Sequence, residues 1–213
     1  MIPGAERDVG TRPAADRTMT DMARVVSINT SPGGIPKHPL PEVEIAVGGL
    51  VGDGHDHEKH RTPVQAVSLL DVELLRAAAA DHDLDLVPGS LGENLTVEGV
   101  GVQRLGLGDR LRIAGADGND VVLEITKVRP PCYVLDALSP DLKRTMWNRI
   151  GMYAAVVVPG RITCGAPIGV ELVGDPASRP LRREPKPPGI DGAGRAAAAL
   201  GTAGLEPLLG TLA

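Results

Sequence analysis

Cys132 stands in the run Arg129-Pro130-Pro131-Cys132-Tyr133, the stretch of this chain that most invites chemistry. Two prolines fix φ and stiffen the backbone just before the thiol. Lys127 and Arg129 place two cations beside it in sequence, and nearby cations favour the thiolate form of a cysteine. A thiolate is a nucleophile, a sulfur carrier and a soft metal ligand. Against this, a lone cysteine is commonly a small buried hydrophobe. The rigid, cation-flanked setting is what lifts Cys132 above that background. Cys164 follows Ile162-Thr163 on an expected strand and reads as packing.

Three further segments carry candidate side chains. In Gly52-Asp53-Gly54-His55-Asp56-His57-Glu58-Lys59-His60, the imidazoles of His55 and His57 are two apart, so on extended backbone they face one way. With His60 they could bind zinc, Cys132 or water completing the set. The spacing lacks a recognised ligand pair, so a polar loop rimming a site is the favoured reading. Lys59 or His60 could then meet an anionic ligand. In Pro88-Gly89-Ser90-Leu91-Gly92-Glu93-Asn94-Leu95-Thr96, the glycines allow close backbone approach, while Glu93 offers an acceptor and Asn94 a bidentate amide. The plain alternative is a tight turn entering a strand at Leu95–Val97. The segment is neither a Walker nor a dinucleotide pattern. Arg149, at the end of an expected helix, could clamp phosphate or carboxylate, or simply complement a helix C-terminus.

The elements that must position these groups are mainly β. Short β-branched runs bounded by Gly, Pro and Asp recur at Arg24–Ile28, Glu42–Val47, Leu111–Ile113, Val121–Val128, Ala154–Val158 and Ile168–Val173. Glu42–Val47 alternates polar and apolar residues like a half-buried strand. Many short strands with frequent glycine turns point to a closed or nearly closed barrel. Two helices interrupt them. Ser68 and Asp71 fit a capping box ahead of a Leu70, Leu74, Leu75 stripe reaching about Ala80. A second helix is expected over Ser139–Asn148, with Ser139 as N-cap, Pro140 at the first helical position, and Leu142 and Met146 on one face.

Composition sets outer bounds. The 213 residues suit one domain with tails: a disordered 1–22, a core domain over 23–173, and a Pro/Arg-rich then Ala-rich 174–213. The 22 Lys+Arg against 27 Asp+Glu give a net charge of -5, which argues against a nucleic-acid partner held by a basic surface. With one Trp, two Tyr and no Phe, the core must come from Val, Leu, Ile and Ala, and too few rings remain to favour a base-stacking platform. The longest apolar run, Met152 to Val158, falls far short of the ~20 residues that span a bilayer, and 1–22 has no apolar signal core. Two cysteines exclude a disulfide scaffold. The expectation is a cytoplasmic protein with reduced thiols, no membrane and no nucleic acid.

The order of these segments resembles the MOSC domain, the C-terminal domain of molybdenum-cofactor sulfurases. The residues that carry the resemblance run from Gly49-Leu50-Val51-Gly52-Asp53 with its histidines to Gln65-Ala66-Val67-Ser68-Leu69. Then come Pro88 to Thr96, Leu107-Gly108-Asp109, Pro131-Cys132 and Gly151-Met152-Tyr153-Ala154. The resemblance covers roughly 24–172, and its specific parts are Gly-Glu-Asn-Leu-Thr and Pro-Cys. It implies a MOSC-type β-barrel with a few peripheral helices. It also implies that Cys132 corresponds to the family's common cysteine, proposed to carry sulfur as a persulfide and, in the amidoxime-reducing branch, to ligate the molybdenum of a pterin cofactor. The family's late Gly-Asp reads Gly165-Ala166 here, so the rim at that point differs.

Two chemistries follow from the resemblance. In the first, a molybdopterin oxidoreductase reduces an N-hydroxylated small molecule. Cys132 holds molybdenum, while Lys59, Arg129 or Arg149 meet the cofactor phosphate and Glu93 and Asn94 line the site. With no flavin or iron–sulfur motif, electrons must come from a reductase partner. In the second, Cys132 passes sulfane sulfur from a donor protein to an acceptor, with His60 as proton shuttle. A non-catalytic module that holds a pterin or other anion is a third reading, and zinc on His55, His57 and His60 stays as an alternative metal.

Overall fold

The computed structural model describes residues 23–54 and 62–178; the expected tails, 1–22 and most of 174–213, lie outside that range. Strand β1 (Arg24–Thr30) pairs with β2 (His38–Leu40), and β3 (Glu42–Ala46) folds onto the two-residue β4 (Gly49–Leu50). Strand β5 (Val67–Asp71) runs directly into helix α1 (Val72–His82), and β6 (Leu95–Glu98) returns beside β5. Next come β7 (Arg110–Ile113), β8 (Val121–Val128), the single turn α2 (Leu142–Thr145), β9 (Met152–Val158), β10 (Gly160–Thr163) and β11 (Ile168–Glu171).

Eight strands make one sheet in the order β11-β7-β8-β9-β5-β6-β1-β2, and β10-β3-β4 make a second. Among the described pairs only β5 and β6 run parallel, as their connection through α1 requires. The expected strand at Val121–Val128 is found with those bounds, and it pairs with both β7 and β9. In β3 the alternation also holds: Val43 and Ile45 point inward, Glu42 and Glu44 outward. Val43, Ile45, Leu50 and Ile162 of the small sheet share one apolar core with Val25, Leu69, Leu95, Leu111, Leu123 and Ile125 of the large one. That core contains no aromatic ring, as the composition demands.

The expected closed barrel is corrected here: the large sheet ends at β11 and β2 and does not close. The first residues of β1 do face the segment that leads into β11. Their contact is one isolated bridge, Arg24 to Pro167, flanked by hydrogen bonds from Val25 N to Ala166 O and from Ile168 N to Ala23 O. In that antiparallel register Gly169–Glu171 would pair with residues before Ala23, so among the described residues the contact ends at these bonds.

Both helices differ from expectation in extent. Ser68 is not a cap but the second residue of β5, and Asp71 is the N-cap of α1 without a side-chain capping bond. The run Val67–Asp71 is buried along its whole length, so a central strand takes it before the helix can begin. The second helix shrinks to Leu142–Thr145, after a 3-10 turn at Tyr133–Ala137. Its cap is Asp141 rather than Ser139, and the chain leaves it through Asn148 at φ 57. Leu142 and Met146 are nevertheless both buried and joined by a Met146 N to Leu142 O bond. With Leu70, Leu75, Ala78, Leu91, Leu135 and Ile150 they form a second apolar cluster, outside the main core. Trp147 sits half-buried in this helical region. Gly151, at φ +95, opens β9 so close to β5 that a Cβ would lie 1.8 Å from Leu69 O, so only glycine fits.

Candidate functional site

The end of β8 delivers Arg129 and Cys132. Arg129 N bonds to Gly151 O, which extends the pairing of β8 with the start of β9 by one residue. Its side chain then turns inward and is only 8% exposed. Nη2 donates to Leu91 O at 2.6 Å. Gly92 makes that approach possible: at φ +80, a Cβ there would lie 3.2 Å from Arg129 Nη2 and 2.7 Å from Ile35 Cγ2. Pro131 is buried and Cys132 is exposed with a free thiol. Three Cα-to-Cα steps through two prolines of fixed φ separate the guanidinium-bearing backbone from the thiol-bearing one, a reach of at most ~11 Å.

Glu93 and Asn94 lie on the loop that enters β6, and both side chains point into the protein. Glu93 is 0% exposed. Its Oε1 accepts from Gly89 N at 2.7 Å and from Thr96 Oγ1 at 2.9 Å. Behind Thr96 runs a chain of donors, Ser27 Oγ to Asn29 Oδ1 and Asn29 Nδ2 to Thr96 Oγ1, which ends on the carboxylate. Asn94 Oδ1 accepts from Ser68 N and Ser68 Oγ, while its Nδ2 donates to Asp53 Oδ2 at 2.8 Å. Asp53, with a side chain 1% exposed, also receives Ser31 N on Oδ1 and pairs with the Lys37 ammonium through Oδ2. Lys37 N in turn donates to Gly89 O.

Three loops, 31–37, 51–54 and 88–94, are therefore laced together around four charges. Burial pulls the Lys37 amine below its usual range, Asp53 pulls it back up, and Arg129 and Glu93 also act on it. Among the described residues, Glu93 Oε2 and Arg129 Nη1 are buried without a hydrogen-bond partner. A buried donor or acceptor left unpaired costs about 1–3 kcal/mol, more when charged. Such a group in a native protein calls for a partner, whether a water, an ion or a ligand.

Of the residues singled out from sequence, the structure brings Glu93, Asn94 and Arg129 together, with Cys132 on the same run as Arg129. It places Arg149 elsewhere: its guanidinium faces Asp81 of α1 at 3.8 Å, and both side chains are largely exposed. His55, His57, Lys59 and His60 lie outside the described residues. Among the described residues no group of three or more His, Cys, Asp or Glu could hold a metal ion. Cys164 is exposed, its thiol donating to Leu40 O at 3.2 Å. Sequence reasoning did not assign roles to Lys37, Asn29 or Thr96, and gave Ser68 only that of a helix cap. Lys37 follows Gly33-Gly34-Ile35-Pro36, and nothing in that run announces a buried ion pair. Asp53 was visible as part of Gly52-Asp53, without the partners that give it meaning.

The family comparison bears on this arrangement directly. The MOSC domain family matches residues 56–169, more than half of the chain. The chain belongs to the MOSC domain family. No curated protein matches it. Among solved structures, the YuaD protein from Bacillus subtilis is 19% identical with a TM-score of 0.60, covering 71% of this chain and 96% of that one. YiiM from Geobacillus stearothermophilus is 24% identical, TM-score 0.56, covering 70% and 74%. YiiM from Escherichia coli is 25% identical, TM-score 0.54, covering 72% and 71%. The first two likenesses speak to the MOSC fold alone. MOSC domains as a family are associated with the molybdenum cofactor.

Proposed function

We propose that this MOSC protein binds the molybdenum cofactor through the Cys132 thiolate and reduces N-hydroxylated small molecules. The observation that carries the reading is the pairing of an exposed free thiol with a buried arginine whose Nη1 lacks a partner, on one proline-stiffened run. The donor set suits the group: a thiolate is a soft ligand fit for molybdenum, and a guanidinium is fit for a phosphate. Cys132 would hold the metal, Arg129 would meet the anionic end, and Glu93 and Asn94 would fix the loop between them. When bound, the cofactor supplies the two-electron chemistry that N–O cleavage needs. The reaction consumes two electrons and two protons and releases the amine and water. The electrons come from a reduced flavin or iron–sulfur partner protein, since this chain carries two cysteines and no such motif.

The test is metal and pterin content of protein made in cells that synthesise the cofactor. Near-stoichiometric molybdenum and pterin in the native protein, lost in Cys132→Ala and kept in Cys164→Ala, is the expected result. Turnover of an N-hydroxylated base with a chemical reductant should follow the molybdenum. No molybdenum, with a cyanide-labile sulfur on Cys132, would replace this reading with sulfur transfer. Stoichiometric zinc would move the chemistry to His55, His57 and His60.

A further inference from the structure

Among the described residues, Lys37 feels the charges of Asp53, Arg129 and Glu93, and the four signs cancel: Lys37 and Arg129 against Asp53 and Glu93. All four are shielded from water; the Lys37 side chain is 11% exposed, Asp53 1%, Arg129 8% and Glu93 0%. The two anions do not depend on the cations for their placement. Asp53 is also held by Ser31 N and Asn94 Nδ2, and Glu93 by Gly89 N and Thr96 Oγ1. Likewise, among the described residues Arg129 is held by Leu91 O and by no carboxylate. Dipoles thus fix the geometry, while the ion pair fixes the sum of charge. In such a setting one unbalanced charge is felt at its neighbours far more strongly than in water.

We infer that the Lys37–Asp53 pair sets the anion affinity of Arg129, each partner offsetting the other, so that the loop cluster admits one anionic group at the unpartnered Nη1. The inference rests on the reading of Arg129 as an anion contact. Lys37 is therefore a positioning and charge-setting residue that need not touch the ligand. With Lys37 neutralised, the remaining charges sum to one negative and repel an incoming anion. With Asp53 neutralised, they sum to one positive and attract it. With both neutralised the sum returns to zero. A purely structural pair behaves differently: either single change loosens the three loops, and both weaken binding.

The experiment is calorimetric titration of the full chain with inorganic phosphate, at low and high salt, alongside thermal unfolding of each variant. Lys37→Met should weaken phosphate binding by on the order of tenfold, and Asp53→Asn should strengthen it by a similar factor. The Lys37→Met/Asp53→Asn double variant should bind within about threefold of the native protein. Both single variants should unfold at lower temperature than native, because each strands one buried group. If Lys37→Met does not fold, Asp53→Asn and the double variant still decide the matter. Asp53→Asn that binds more weakly than native overturns the inference and leaves the anion site standing. Phosphate binding that survives unchanged in Arg129→Met, or is missing from the native protein, removes the anion reading of Arg129 and the inference with it.

Discussion

Asn94 touches three segments that are far apart in sequence: β5 through Ser68, the 51–54 loop through Asp53, and β1 through Asn29 O. Its amide uses an acceptor on one side and a donor on the other, which is why neither Asp nor Leu can replace it. Asn94→Ala should cost about 2–3 kcal/mol in urea unfolding, since Asp53 and Ser68 lose partners in a buried place. Asn94→Asp, of nearly equal size, should cost more than Asn94→Ala, because it sets a carboxylate against Asp53. The opposite order would mean that packing, rather than hydrogen bonding, holds the loop. At this scale Cys132, Glu93, Asn94 and Arg129 were legible because their residue types stand out in short runs rich in Gly and Pro. Lys37 and Thr96 were not, because a buried ion pair and a relayed hydroxyl are made by contacts distant in sequence, and neither leaves a local pattern.

The β5–α1–β6 unit is where element and site meet. Asp71 ends the strand and begins the helix, and its carboxylate is 4% exposed. Oδ1 accepts Gly101 N, so Asp71 also anchors the 3-10 turn at Val102–Arg104 that follows β6. Burial pushes the Asp71 carboxyl above its ordinary range, while the N–H groups of Val102, Gly101 and Gln103 oppose the shift. A raised folded value means that, from pH 3.8 up to that value, the folded protein holds more protons than the unfolded chain. Stability contributed by Asp71 is thus complete below that window and is lost as pH rises through it. Asp71→Asn removes the slope. The difference in unfolding free energy between Asp71→Asn and native should move in favour of the variant as pH climbs from about 4, then level off. A difference that stays flat across that range would deny the burial penalty. The strands were legible where β-branched runs are long, as in Val121–Val128. The strand Val67–Asp71 was lost to an apparent helix cap, because a fully buried strand and a buried helix share the same apolar signal. The short β2 and β4 carry too few residues for any period.

For the whole molecule, two sheets of opposite size wrap one apolar core, and the larger stays open between β11 and β2. Short strands and glycine turns suggested closure; whether β11 finds a partner across the seam depends on register between distant segments, which a period count cannot weigh. Among the described residues no helix is long and apolar enough to cross a membrane. The open edge at β11 is tied down beyond its last residue: Gly174 N bonds to Asp109 Oδ1, Asp175 N to Leu107 O, and Leu107 N to Ser178 Oγ. A chain ending at Ser178 should therefore keep the native unfolding temperature within about 3 °C, whereas one ending at Glu171 should lose several degrees more. Equal melting of the two would show that these three bonds contribute little.

Trp147 is the one indole in the chain, and its aromatic company is limited to Tyr133 and Tyr153. It is half-buried and follows Met146 of the satellite cluster in sequence, and it is not part of the main core. Emission excited beyond the tyrosine band therefore reports on the segment that follows Cys132. Loosening of α2 can be followed by fluorescence excited where Tyr133 and Tyr153 do not absorb, and an experimenter need add no label to watch it.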